Sequence, residues 1–502
     1  MRPLEIAILV ILAILLGMAF RPARRRGTAF SLLALILVGV VVLHMFVEKA
    51  RWQMAPAFML AVLLLGKAVF DPLPKYSQPG RQKGKSAAGS LFEWLWRITA
   101  VVLFILGEIL PWALPVFRLP EPGGPYAIGV RSMEMVDASR GEALTPEAGD
   151  RRALMVHAWY PAQPQPGAQT QPYWPEVRRV GPIMLERLGL PTFLLSHLPL
   201  VKTHSYPGAL LAGDSGSYPV VIFSHGYSAD YAFYWTQYEA LASQGYIVFS
   251  ISHPYEAIET VYPDGRLAFM NDTTWNWLFG GSLGNLDLDE RVLVWAADTR
   301  FVLDRLEAMN AEAGNFFAGR LDMERVGIYG MSFGGATAML VCLNEPRCKA
   351  AANLDGGQYG DVAFKGRSLQ VPSMFFYSED GAGMNDDIYA SVENRAYRVY
   401  IRGSEHSSYT EVGYWSPLAR YAAEGHRVVF VSATDGGAGR LFDERPGDAG
   451  ELRIEALVPA VPHHFLDEDG HLFLLHPMVR RFDIALGPLL NWTKGGRING
   501  SI

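Results

Sequence analysis

The chain has 502 residues, half of them hydrophobic and 19% charged, with a formal net charge of −6. That length exceeds one small domain, and the absence of a basic tail or dense Lys/Arg patch beyond the apolar N-terminal region argues against a nucleic-acid partner. The two cysteines, Cys342 and Cys348, match no zinc or redox spacing and are too few for a disulfide framework; one bridge or two buried thiols both stay open.

Four apolar runs open the chain, at residues 4–20, 30–47, 54–70 and 98–117. Each is long enough to cross a bilayer as a helix, so residues 1–118 are predicted to form a transmembrane region of about four spans. The first run does not read as a signal peptide, because its charges follow the apolar stretch and no small-residue cleavage site appears. Arg21, Arg24, Arg25 and Arg26 follow the first span, and Lys75, Arg81, Lys83 and Lys85 lie between the third and fourth. The opposite side carries only Arg2, Lys49, Arg51 and Arg118 near the spans. The positive-inside rule then makes the two basic loops cytoplasmic and predicts an integral protein of the plasma (inner) membrane, with everything after residue 118 extracytoplasmic. Lys67 is expected to snorkel, His44 to be structural, and Glu108 either to pair, stabilise the fold or sit at the interface, or to serve chemistry.

Residues 119–125 (LPEPGGP) read as a linker. Beyond them, short apolar β-branched runs stand at 153–159, 219–224, 246–252, 325–329, 349–354, 371–377 and 397–402. Helical patterns at 231–244 and 288–309 lie between them. This alternation predicts an α/β domain over residues 119–412 with a mostly parallel sheet, whose sites fall at the carboxyl ends of strands. Two insertions interrupt it. Residues 182–200 are nearly as apolar as a span and are expected to cap an apolar pocket; an ordinary packed insertion is the alternative. Residues 262–287, with Trp275, Trp277, Leu278 and Phe279, are expected to line the same entrance. Residues 413–502 carry no clear pattern and are expected to pack on the α/β domain.

Gly330-Met331-Ser332-Phe333-Gly334 has the pattern G-x-S-x-G between a predicted strand and a predicted helix. That context projects a hydroxyl from a sharp turn at a helix amino terminus, so Ser332 is the candidate nucleophile. A serine needs a base and an orienting carboxylate. His406 follows the last predicted strand and is the candidate base. His225, His253, His463, His464, His471 and His476 are less well placed. For the acid, Asp355 and Asp380 each follow a strand, and the usual position in such a fold favours Asp380. Two backbone N–H groups would receive an oxyanion: Phe333, next to the serine, and Tyr227 in the loop Ser224-His225-Gly226-Tyr227 after an earlier strand.

Several blocks resemble the plasma platelet-activating factor acetylhydrolase family of α/β-hydrolases. They are Gly124-Pro125-Tyr126-Ala127-Ile128-Gly129, residues 220–253, GMSFGGAT at 330–337, NLDG at 353–356 and IRGSEH at 401–406. The resemblance covers about residues 124–412 and departs at Met331, where the family has histidine. It implies Ser332 as nucleophile, His406 as base and Asp355, rather than Asp380, as acid, and it supports Tyr227 and Phe333 as oxyanion donors. It also implies no metal or cofactor, and short-acyl or oxidised phospholipids as substrates. The N-terminal spans and residues 413–502 are not part of the plasma enzyme's pattern.

The leading expectation is therefore a membrane-anchored serine carboxylic ester hydrolase acting on a lipid or other amphiphilic ester. A general carboxylesterase on small or polymeric esters is the runner-up. A non-catalytic membrane sensor or scaffold is the alternative of another class, with a transporter fused to a hydrolase a minor option.

Overall fold

The computed structural model describes residues 1–21, 27–70, 87–147, 149–213, 216–280, 286–378, 381, 383–401, 404–418 and 451–454. The chain divides into two compact units. One consists of Met1–Arg118 with Pro175–Val201 and the residues just after Val412; the other holds Leu119–Trp174 and Lys202–Val412.

The first unit contains α1 (Pro3–Ala19), α2 (Gly27–Val47), α3 (Ala55–Phe70), α4 (Ala87–Ala113) and, from the insertion, α5 (Val177–Arg187). Among the described residues, Thr28–Val47, Trp52–Phe70 and Ser90–Ala113 are long and apolar enough to cross a membrane; α1 is apolar but one residue shorter than that class. The fourth apolar helix begins earlier than the expected 98–117. Its start moves toward the N-terminus because Glu93 and Arg97 pair at 2.9 Å one turn apart, which lets the helix carry both charges. Its end comes at Ala113 because Leu114 precedes Pro115, and a residue before proline is pushed out of helical geometry.

A charged cluster joins the start of α1 to the end of α2. Arg51 donates Nε and Nη2 to the two Glu5 carboxylate oxygens at 2.7 and 3.0 Å, and Arg2 adds Nε at 3.0 Å. His44 and Glu48 stand beside them. The three ligand-type residues Glu5, His44 and Glu48 converge, but both Glu5 oxygens already accept from guanidinium groups, and two such cations repel a metal ion. The cluster satisfies charge where water is scarce. The Lys67 ammonium lies 4.5 Å from the Trp96 ring centre, a cation–π contact.

The apolar insertion packs with the N-terminal helices. Residues 182–200 belong to the helical unit, where Phe193 meets Trp52 edge-on at 5.0 Å between ring centres. Its apolar character is used against other apolar helices, so its composition resembles a span for a physical reason.

In the second unit the strands are β1 (Ala127–Gly141), β2 (Arg151–Gln163), β3 (Ser205–Pro207), β4 (Leu210–Leu211), β5 (Tyr218–Ser224), β6 (Ile247–Ser252), β7 (Glu259–Val261), β8 (Leu267–Phe269), β9 (Leu321–Met331), β10 (Cys348–Leu354), β11 (Ser373–Tyr377), β12 (Ala396–Ile401) and β13 (Glu451–Ile454). The helices that matter for the site are α6 (Trp235–Ser243), α7 (Asp272–Gly280), α8 (Leu288–Ala311) and α9 (Phe333–Cys342). The main sheet runs β13-β12-β11-β10-β9-β5-β6-β2-β1-β3, with β4 on β2, while β7 and β8 form a separate hairpin. From β6 across to β13 every neighbouring pair is parallel, and β2 pairs antiparallel with both β6 and β1. The parallel strands are nearly continuous apolar runs because helices cover both faces. Ile222, Phe249, Ile328, Ala351 and Phe375 are all buried in one core with Trp295 and Leu303 of α8 and Met339 of α9.

The chain goes from β5 to β6 on one side and then to β9 on the other. This reversal leaves a crevice at the carboxyl ends of β5 and β9, where open α/β sheets bind ligands. Beyond residue 412 only β13, the edge strand, is described within the sheet; His463, His464, His471 and His476 lie outside the described residues.

Candidate active site

Ser332 follows β9 directly and is the residue before α9. Its φ of 54° and ψ of −122° lie where a residue with a side chain is strained, the conformation that turns a strand into a helix within one residue. The turn has no room for side chains on either flank. A Cβ at Gly334 would lie 2.0 Å from the Ser224 carbonyl oxygen, and one at Gly330 would lie 2.3 Å from the Gly334 carbonyl carbon. The two glycines of the motif are thus required by close backbone approach between the ends of β5 and β9. Ser332 is half-buried, and the first N–H groups of α9, Phe333 among them, have no partner inside the helix.

Asp355 directly follows β10 and His406 lies five residues past β12. Their side chains meet at 2.8 Å, His406 Nδ1 to Asp355 Oδ2. The other carboxylate oxygen accepts the backbone N–H of Ser378 at 2.6 Å, which fixes the carboxylate plane. Asp355 is buried, whereas the His406 side chain is 54% exposed, so the pair has a sealed end and an open end. Asp380, the acid that fold position alone favours, lies outside the described residues.

The loop after β5 faces the same strand ends. A Cβ on Gly226 would stand 3.4 Å from Ser332 Cβ and 3.1 Å from Met331 Sδ. Met331, the departure from the family pattern, therefore sits beneath this loop as a buried packing residue. The Tyr227 ring packs edge-on against Phe333 at 5.2 Å between centres, and its hydroxyl meets Thr274 Oγ1 of α7 at 3.1 Å. The second insertion thus contacts the Tyr227 loop through α7; Trp275 is buried and Leu278 exposed there. The Trp277 and Phe279 side chains are outside the described residues.

His225 and His253 belong to a buried network that sequence reasoning only half found. His253 Nδ1 meets Asp298 Oδ2 at 2.8 Å, and its Nε2 lies 3.2 Å from Ser224 Oγ. This repeats a Ser-His-Asp arrangement, but all three residues are sealed from solvent and can meet no substrate. Arg152 neutralises Asp298 at 2.7 Å. His225 Nε2 accepts the His253 N–H at 3.3 Å, and the Glu256 carbonyl accepts the Ser228 N–H at 2.8 Å. The network braces the loop that carries Tyr227. Asp298 was legible in principle: it falls three residues after Trp295 and four before Val302, on the apolar face of α8, where an acid needs a partner.

Burial holds the imidazoles of His157 and His225 neutral, pushing each down to about 3, and lowers His253 as well. In the unfolded chain these groups titrate near about 6.5. The folded values of His157 and His225 are depressed to about 3, so for these two the unfolded state binds more protons between about 3 and about 6.5. The stability they contribute is complete above about 6.5 and is lost as pH falls, by up to about 1.4 kcal/mol per pH unit for each. Thermal melting of the full-length protein in detergent is expected to show a melting temperature that drops from pH 6.5 to 4. His157→Gln, which removes the imidazole stacked on Tyr231, is expected to flatten that slope; an unchanged slope contradicts the assignment.

Comparison with known proteins bears on this arrangement. The family model described as platelet-activating factor acetylhydrolase, isoform II, matches residues 114–277, which include the loop after β5. The platelet-activating factor acetylhydrolase of Cavia porcellus is 24% identical over 333 residues, covering 61% of this chain and 72% of that protein. The chain is similar to the platelet-activating factor acetylhydrolase family over this region. It is an α/β-hydrolase and a carboxylic ester hydrolase. A protein of Arthroderma benhamiae described as a probable 1-alkyl-2-acetylglycerophosphocholine esterase is 25% identical over 285 residues, covering 50% of this chain and 62% of its own length. The solved structure of a ferulic acid esterase from Streptomyces cinnamoneus superposes with a TM-score of 0.50 at 26% identity, covering 62% of this chain and 82% of that one.

Proposed function

We propose that the protein hydrolyses short-acyl or oxidised phospholipids, or similar amphiphilic esters, through an acyl-enzyme formed on Ser332. The observation that carries this reading is the 2.8 Å pair of His406 and Asp355 at the strand ends where Ser332 occupies its strained turn. With Nδ1 held by the carboxylate, His406 has Nε2 available as general base. Ser332 Oγ attacks the ester carbonyl as His406 takes its proton. The oxyanion is received by the backbone N–H groups of Phe333 and Tyr227 in an apolar setting, where such donors are worth more than in water. Collapse breaks the ester C–O bond, and His406 returns the proton to the departing alcohol. Water, deprotonated by the same histidine, then releases the acid and restores Ser332.

The phospholipid reading draws on the names of the animal and fungal relatives and on the apolar helices, which would hold the enzyme at a lipid surface. The similarity to a ferulic acid esterase favours the second reading, a general carboxylesterase. Turnover by purified protein on a panel from p-nitrophenyl acetate to 2-acetyl and 2-palmitoyl phosphatidylcholine separates them. The expected result is a preference for the 2-acetyl lipid over both the long-chain lipid and a feruloyl ester; a preference for the feruloyl ester overturns the phospholipid reading.

We also propose that the hydrolase unit lies outside the cytoplasm. Cys342 and Cys348, left open by the sequence, form a disulfide joining the end of α9 to the start of β10, and such bonds belong to oxidising compartments. This agrees with the basic loops being cytoplasmic. Reporters fused after residue 26 and at the C-terminus are expected to report opposite sides; same-side signals contradict the orientation.

A further inference from the structure

The turn that carries His406 continues into Glu411, a carboxylate with 1% of its surface exposed that the mechanism above does not use. It ends up against the start of α6. Its two oxygens accept the backbone N–H groups of Trp235 at 3.1 Å and Thr236 at 2.9 Å, and the Thr236 hydroxyl as well. These N–H groups have no partner inside α6, so the two Glu411 oxygens satisfy them as acceptors, while burial pushes this carboxyl up to about 8. Two further bonds run between the same segments. The Glu411 N–H donates to the Phe233 carbonyl at 2.8 Å, and Gln237 Nε2 donates to the Tyr409 carbonyl at 2.9 Å.

The receiving segment follows the loop after β5. Within it, the Tyr234 hydroxyl accepts the N–H of Gly226 at 3.3 Å, one residue before Tyr227. A continuous set of bonds therefore runs from the His406 turn, through Glu411 and the start of α6, to the backbone next to the candidate oxyanion donor. His406 lies beyond β12 and Tyr227 beyond β5, with β9, β10 and β11 between them in the sheet. Strand pairing alone links these two loops only across three intervening strands.

We propose that Glu411 is a positioning residue for ester hydrolysis, fixing the His406 turn against the segment that holds the Tyr227 loop. This rests on the serine-hydrolase reading above. Misplacement of a base or oxyanion donor by about 1 Å costs on the order of 100-fold in rate. Loss of a merely stabilising cap would instead lower the folded fraction and leave each folded molecule as active as before.

The test is Glu411→Gln in the full-length protein, in which the amide turns one acceptor into a donor facing N–H donors. Turnover of p-nitrophenyl acetate is expressed per site labelled by a fluorophosphonate probe at exhaustive labelling. We expect kcat per labelled site to fall about 10- to 100-fold with KM near the parent value, and Glu411→Asp to recover part of the loss. Tyr234→Phe, which removes only the hydroxyl link to Gly226, is expected to slow turnover less. Combined with Glu411→Gln it should cost less than the product of the two single effects, since both act through one chain of contacts. A per-site kcat within twofold of the parent, or strictly multiplicative effects, overturns the proposal. If Glu411→Gln does not fold, Thr236→Val and Gln237→Met remove single bonds of the same bridge, and full per-site activity in both overturns it as well. A parent protein that neither labels nor turns over overturns the serine-hydrolase reading and this proposal together, whereas an active parent with an equally active Glu411→Gln overturns this proposal alone.

Discussion

Replacing Ser332 by alanine is expected to abolish fluorophosphonate labelling and to lower kcat on any ester substrate by at least about 10⁴-fold, with the fold intact. The size follows from the role: without the hydroxyl no acyl-enzyme forms, and in serine hydrolases only oxyanion stabilisation and binding remain. Stability should change little. Alanine keeps the Cβ that the turn already tolerates, and the φ of 54° is borne by the surrounding backbone, where Ser332 donates its N–H to the Leu354 carbonyl at 2.8 Å. Mass spectrometry of the labelled protein locates the adduct, and near-parental turnover in Ser332→Ala sinks the nucleophile assignment. Gly334→Ala differs in kind, because its added Cβ collides with backbone and should reduce folded protein rather than the rate per site.

Asp355→Asn is expected to reduce kcat by about 10⁴-fold with little change in KM, while Asp380→Asn stays within a few-fold of the parent. Asp355 holds the Nδ1 side of His406 and so selects the tautomer whose Nε2 can accept the serine proton. An asparagine amide presents a donor or a weaker acceptor at the same place. Its other atom must also accept the Ser378 N–H at the 2.6 Å position now held by the carboxylate, so the amide oxygen is drawn away from His406. Both requirements cannot be met by one amide. Steady-state kinetics of the two variants, normalised to labelled sites, decide between the acids. Loss of turnover in Asp380→Asn with retention in Asp355→Asn transfers the role to Asp380.

The features legible in the sequence are those encoded by neighbours in the chain. The elbow at Ser332 is legible from five residues and the strand before it, although the structure shows that the glycines at 330 and 334 are also demanded by the backbone of β5. The strands from 219–224 to 397–402 were each legible as short apolar runs because parallel strands are buried on both faces. The apolar helices were legible from length and composition. β1 was not, because its burial is irregular along fifteen residues that include Arg131, Glu134 and Asp137, a pattern weaker than a continuous apolar run.

Tertiary structure decided what depends on residues far apart. Asp355 and His406 are 51 positions apart, and only the side-by-side placement of β10, β11 and β12 brings them to 2.8 Å. Fold position alone pointed to Asp380, and family resemblance had to overrule it. Residues 182–200 were readable as apolar but not as to what they cover, because hydrophobic burial has no direction; their partners turned out to be the N-terminal helices. The pairing of Cys342 with Cys348, the buried Asp298 beside His253, and the bridge from Glu411 to α6 have the same origin. Each is a polar or covalent contact whose need is written in the sequence but whose partner is chosen by the packing of the sheet.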